Sequence, residues 1–300
     1  MNLYTINTGY FKLDGGAMFG VVPKSIWDSL NPADENNMCS WAMRCLLIED
    51  GKRLILVDNG IGDKQDKKFL SYYYLHGDDS LEKSLRTAGF SMDDITDVFL
   101  THLHFDHCGG SIKWNKDRTG YETAFKNATY WSHKEHWELA TKPNAREKAS
   151  FLKENILPIQ ESGQLKFVEG VTNDKAGGKG DGKNEVLTGT NFSDKISIFI
   201  ARGHTDAMML PMIPYKNKTV VYVADLLPST GHIPVPYVMA YDTRPLITLE
   251  EKANFLNMAA ENEYIFFFEH DRVNECCSLQ KTDRGVRMEK AFMLKDYFGN

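Results

Sequence analysis

The run Thr101–Gly110, THLHFDHCGG, constrains this 300-residue chain more than any other stretch. It holds three histidines and one aspartate in His-x-His-x-Asp-His order, at His102, His104, Asp106 and His107. Neutral imidazole and carboxylate suit Zn²⁺ and related first-row ions. So dense a set is hard to account for without a metal. In an extended stretch His102 and His104 face the same side and can grip one ion together. Asp106 and His107 come after the turn, where they can serve a second ion. The apolar run Val98–Leu100 reads as a buried strand leading into the motif. Gly109 and Gly110 allow a tight backbone path out of it. A strand end that opens into a loop is where α/β folds usually place their chemistry.

Three more apolar runs end on ligand-type residues. Ile196–Ile200 leads to His204 in ARGHTD, VVYVAD ends on Asp225, and YIFFFEHD carries His270. Near the N-terminus, LILVDNGIG places Asp58 and Gly60 after a further apolar run. Together these stretches, spread from about Tyr10 to Phe292, resemble the metallo-β-lactamase fold superfamily. The resemblance implies a four-layer αββα sandwich formed from two similar β/α halves, with the metal site at strand ends. It also implies one metal on His102, His104 and His204, a second on Asp106, His107 and His270, and Asp225 as the bridge. Asp58 would orient a ligand imidazole rather than bind metal.

Two ions about 3.5–4 Å apart hold a bridging water and lower its pKa, so that hydroxide attacks without a serine or cysteine nucleophile. Asp106 and Asp225 are therefore candidate catalytic residues. The chemistry expected is metal-assisted hydrolysis on two Zn²⁺ ions, with iron or manganese as alternatives. His104 stands where the iron-dependent flavodiiron branch would carry Glu, which favours zinc.

Within the superfamily the chain most resembles the quorum-quenching N-acyl homoserine lactonases and their esterase-like relatives. HLHFDHCGG carries Phe105 between the ligands, GYFKLDGGAMFGVVPKSIW (residues 9–27) resembles the segment these enzymes fold over the site, and DLLPSTGHIPVPYVMAYD (residues 225–242) resembles their post-bridge segment. The resemblance implies an apolar substrate wall of Met18, Phe19 and Phe105. Two departures stand out. Pro228 occupies the place of the lactonase Tyr that holds the lactone carbonyl, and GHTDAM replaces the more usual GHTPG. Ser229, Thr230, His232 and Tyr237 are candidate replacement donors. His232, shortly after a ligand, is expected to donate to the developing oxyanion.

A phosphoester hydrolase on the same metals is the alternative, with Arg202 and Arg244 as the nearby cations that phosphate would need. A non-catalytic sensor on this fold is a third reading, and the full ligand set argues against it. A net charge of −6, from 35 Lys and Arg against 41 Asp and Glu, argues against a polyanionic nucleic-acid partner. No apolar run approaches the ~20 residues of a membrane span. The N-terminus lacks a basic start followed by an apolar core, so no secretory signal is expected. Five cysteines (39, 45, 108, 276 and 277), odd in number and without a CxxC pair, fit reduced thiols in the cytoplasm. Cys108 reads as a small packed residue.

Residues 1–300 read as one domain acting on a small molecule, with a homodimer expected from the resemblance. Residues 40–58 read as a strand pair. DSLEKSLRTAGF reads as a helix capped by Asp79 or Ser80 and stopped at Gly89. Residues 132–155 read as solvent-exposed helix carrying His133 and His136 on one face. The Gly- and Lys-rich stretch 173–185 reads as a flexible surface insertion.

Overall fold

The computed structural model describes residues 1–172 and 185–299. These form two compact units. The first comprises Met1–Phe11 and Ala42–Val168, and the second Lys12–Trp41 with Glu169 onward. The stretch 173–185 lies outside the described residues except for Glu185.

The strands are β1 (Asn2–Asp14), β2 (Met38–Asp50), β3 (Arg53–Val57), β4 (Asp97–Phe99), β5 (Ile112–Trp114), β6 (Tyr121–Thr123), β7 (Thr129–Ser132), β8 (Leu165–Phe167), β9 (Val171–Thr172) and β10 (Glu185–Thr188). They continue with β11 (Ser197–Ala201), β12 (Met208–Tyr215), β13 (Lys218–Tyr222), β14 (Ile265–Phe267), β15 (Cys276–Thr282) and β16 (Gly285–Phe292).

The sheet of the first unit runs β1-β2-β3-β4-β7-β8. β2 and β3 are the expected antiparallel pair, with Leu46 opposite Val57. β3, β4, β7 and β8 are mutually parallel. Parallel strands are covered on both faces, so they read as unbroken apolar runs. β4 is covered in this way: Val98 and Phe99 are buried, and so is Asp97, paired with Arg53. Val98 of this strand joins a core with Leu47, Leu56, Leu85, Tyr130 and Ile159. The helix Leu81–Thr87 packs Leu85 into that core. Its N-cap is Ser80, whose hydroxyl accepts the Lys83 N–H, and Gly89 follows at φ +91°.

Residues 132–155 do not form one exposed helix. Pro143 cannot continue a helix and disfavours the helical state in its predecessor. The chain therefore makes a helix over Lys134–Thr141 and a second over Lys153–Glu161. The first of these buries His136, Trp137 and Ala140.

The sheet of the second unit runs β16-β15-β14-β13-β12-β11-β10-β9. Only the pair β13/β14 is parallel among its described pairings; the others are antiparallel. A parallel pair needs a crossover, and residues 223–264 provide it, including the 17-residue helix Pro245–Glu261. Pro245 opens that helix, where its missing N–H costs nothing. Phe255 packs on Phe199 of β11 (ring centroids 4.7 Å apart) and lies nearly flat on Phe266 of β14.

The same helix buries Lys252, whose Nζ donates to the Tyr237 carbonyl at 2.6 Å and to the Pro234 carbonyl at 3.3 Å. Burial pushes this amine down from 10.5 to about 7. Between those values the unfolded chain holds a proton that the folded one has lost, so this residue makes stability rise with pH from about 7 to about 10.5. Thermal melts across that window are expected to climb less steeply in Lys252→Met than in wild type. Parallel curves would show that Lys252 stays charged in the folded protein.

Candidate metal centre

Each unit carries its own cluster of ligand-type side chains at the ends of buried strands. In the first unit β4 delivers the chain into Thr101–His104, and the short helix Phe105–Cys108 then turns Asp106 and His107 inward. The turn depends on its glycines. A Cβ on Gly109 would lie 2.1 Å from the Ile61 carbonyl oxygen, and one on Gly110 would lie 2.3 Å from that of Asn59. No side chain fits there without moving backbone.

Asp58 lies at the end of β3 and is fully buried, at φ +54°, a conformation Asp tolerates better than most residues. Its carboxylate accepts from the Thr101 N–H at 2.8 Å, from the Thr101 hydroxyl at 2.6 Å and from His107 Nδ1 at 3.1 Å. These bonds fix two tautomers. His107 gives its Nδ1 proton to Asp58, so Nε2 keeps a lone pair, 3.8 Å from Asp106 Oδ2. Thr101 has spent its one proton on Asp58, so its oxygen accepts from His102 Nδ1 at 3.1 Å. His102 Nε2 then has a lone pair, 3.1 Å from His104 Nδ1. That separation is near the edge of a tetrahedron with Zn–N bonds of about 2.0–2.1 Å, roughly 3.3 Å.

In the second unit β11 ends just before His204, β13 just before Asp225 and β14 just before His270. Asp225 follows Ala224, which sits at φ +41°, a strained setting for alanine. Its two carboxylate oxygens divide their contacts. Oδ2 is 3.2 Å from His204 Nε2, and Oδ1 is 3.2 Å from His270 Nε2. His204 Nδ1 donates to Asp242 at 2.9 Å. Burial opposes a positive charge on His204, yet Asp225 and Asp242 outweigh it and lift the imidazole to about 10. The cluster therefore calls for a cation. Buried imidazoles with outward lone pairs, beside carboxylates, are the donor set of a zinc-type metal. On this test the residues fit the metal that the sequence implies.

Residues 44–270 match the metallo-β-lactamase superfamily. The chain belongs to that superfamily. An N-acyl homoserine lactonase of Bacillus thuringiensis is 27% identical over 143 residues, 43% of this chain and 53% of that protein. The chain thus spans about half the length of the curated relatives of this kind that it matches. A probable metal-dependent hydrolase from Staphylococcus aureus has the same fold, with a TM-score of 0.82 at 25% identity over 97% of this chain and 96% of that one. A dizinc quorum-quenching lactonase in complex with its N-hexanoyl-L-homoserine product gives a TM-score of 0.72 at 23% identity, covering 97% and 95%. The metallo-β-lactamase fold and membership of a metallo-hydrolase family are thereby established. Among the described residues no helix is long and apolar enough to cross a membrane.

Several expected site residues have other work. His232 is buried, and both ring nitrogens are engaged. Nε2 is 2.9 Å from the Met18 carbonyl, which can only accept, so Nδ1 accepts from the Ser229 hydroxyl at 2.9 Å. Its single N–H is spent on Met18, leaving none for an oxyanion. Burial holds the ring neutral, pushing it down to about 3. Met18 and Phe19 are core residues of the second unit, with Phe19 stacked between Trp27 and His232. Phe105, in the first unit, packs against Phe69 and Tyr73. The Thr230 hydroxyl donates to Asp271 at 2.8 Å. Tyr237 is half-buried and lends its backbone carbonyl to Lys252.

Arg202 is bound to Glu185 and Asp206, and Arg244 to Asp206. Cys108 is a buried thiol near the Leu103 carbonyl, pushed up to about 12 by burial, so it is no ready thiolate. All five cysteines are free and buried.

Sequence reading missed three residues that hold the loops carrying the candidate ligands. Asp242 orients His204, and His136 takes a backbone N–H of the His-x-His stretch. Glu251 accepts the N–H groups of Arg202 (2.7 Å) and Gly203 (3.0 Å), just before His204. No local pattern announces any of these pairings.

Proposed function

We propose that the two clusters serve one dinuclear centre, and that the protein hydrolyses lactones or carboxylic esters on it. His102, His104 and His204 would hold one ion, Asp106, His107 and His270 the other, and Asp225 would bridge them. Zinc is the metal favoured by the donor set. The observation that carries this reading is Asp225, whose two oxygens each face a different imidazole. A carboxylate divided in that way is what a bridge between two ions requires.

A metal pair bound there supplies a water of lowered pKa and a Lewis acid for the scissile carbonyl. The chain's own residues do the rest. Asp58 and Asp242 engage Nδ1 of His107 and His204, so that Nε2 is the nitrogen each ring would offer to an ion. Burial of the imidazoles keeps bulk water from competing for the same nitrogens. With Ser229, Thr230 and His232 committed to internal hydrogen bonds, the Tyr237 hydroxyl is the donor we assign to the substrate carbonyl in place of the residue lost at Pro228.

The ester reading draws on the lactonase relatives. It is favoured over a phosphoester by the ion pairs of Arg202 and Arg244, which occupy the two cations an anionic substrate would need. Five buried thiols without a disulfide fit a reducing compartment.

The test is turnover of a long-chain acyl homoserine lactone, an aryl ester and an aryl phosphotriester by the zinc-reconstituted protein. Hydrolysis of the lactone or ester is expected. Phosphotriester turnover alone, or two bound metals with no turnover of any of the three, would overturn the substrate assignment.

A further inference from the structure

We propose that His136 is a positioning residue for the metal loop, acting as a hydrogen-bond acceptor for the one backbone N–H that lies between His102 and His104. The inference rests on His102 and His104 being metal ligands, as proposed above, and goes beyond it.

The Leu103 N–H donates to His136 Nε2 at 2.8 Å, and both residues are buried. Leu103 is the spacer of His-x-His. Its side chain is in the core of the first unit, away from the two imidazoles. Its amide orientation fixes the peptide plane that joins the two ligands. Turning that plane would separate His102 Nε2 from His104 Nδ1, now 3.1 Å apart. No strand neighbour holds this amide, because β4 ends at Phe99. A side chain supplies the acceptor instead.

The fold anchors His136 well enough to do so. It lies on the helix Lys134–Thr141, whose His133 N-cap accepts the Glu135 N–H and whose Trp137 and Ala140 join the core. The His136 ring also packs on Phe151 at 5.6 Å, and Phe151 in turn packs on His104 at 4.9 Å. Both contacts hold the same loop. Because Nε2 accepts, the ring proton must sit on Nδ1. The bond is an acceptor's job, and the amide oxygen of glutamine can do it while phenylalanine, close in shape, cannot.

The experiment compares Zn²⁺ affinity, by competition with a chromophoric chelator, in wild type, His136→Phe and His136→Gln. The tautomer of His136 is read separately in the wild-type protein by nitrogen-15 NMR of the imidazole. We expect His136→Phe to lose about 10- to 100-fold in affinity for one of two ions, the range seen when a group supporting a metal ligand is removed. His136→Gln should recover most of that loss, and the wild-type ring should carry its proton on Nδ1. Phenylalanine binding zinc as wild type does, glutamine failing as badly as phenylalanine, or a proton on Nε2 would each overturn the inference. Wild-type protein that binds no zinc would instead refute the metal assignment, and the NMR result would still decide the hydrogen bond.

Discussion

His104→Ala is expected to leave a folded protein that holds one metal instead of two and has lost at least about 10³-fold in kcat/KM. That loss corresponds to ~4 kcal/mol of transition-state stabilisation. The size follows from where the side chain stands. His104 Nδ1 faces His102 Nε2 at 3.1 Å, so alanine removes one of the two imidazoles that converge on a single point. Of the ligands proposed for that ion, His102, His204 and the bridging Asp225 remain, a set expected to hold it much more weakly at micromolar metal. The fold should survive, since the loop keeps Asp58, His136 and its glycine contacts. Metal analysis and kinetics on the same sample check it. Near-normal turnover with two metals would mean that His104 is only a packed aromatic residue.

His232→Ala should be costly in a different way, lowering stability by about 3 kcal/mol. Two losses combine. The ring stacks on Phe19 at 4.5 Å and lies against Trp41, so its removal opens a cavity among aromatic side chains. The Met18 carbonyl also loses its bond to the ring, and the Ser229 hydroxyl is left with Asn31 Oδ1 at 3.5 Å. Turnover per folded molecule should change by less than about threefold, since a removed oxyanion donor costs about 10²–10³ in kcat. Denaturant unfolding and kcat measured well below the melting temperature separate these outcomes. A 10²-fold slower enzyme of unchanged stability would restore the oxyanion role and contradict the bond to Met18.

The proposed ligand set stands out in the sequence because its pattern is local. Four of the proposed ligands fall within six residues, and the other three sit just beyond short apolar runs that read as buried strands. The strand pair at β2 and β3, the strand before Thr101 and the helix stopped at Gly89 were legible for the same reason: each rests on neighbours in the chain. What supports the proposed ligands was not legible. Asp242 reaches His204 across 38 positions, His136 reaches Leu103 across 33, and Glu251 reaches Arg202 across 49.

His136 shows why the surface reading fails. Lys134, Glu135 and Glu138 make its helix look solvated, yet the buried side is set by Trp137 and Ala140, and His136 lies with them. His232 misled for the opposite reason. A histidine close after a ligand invites a chemical role, but its neighbours in space, Phe19 and the Met18 carbonyl, are more than 200 positions away.

The most direct test of the central claim is the number of zinc ions bound per chain, measured by elemental analysis after zinc reconstitution and gel filtration, in wild type and Asp225→Asn. A dinuclear centre bridged by Asp225 predicts two ions in wild type and fewer than two in the variant, at unchanged helical content. One ion or none in wild type, or two ions held as tightly by Asp225→Asn, would contradict it.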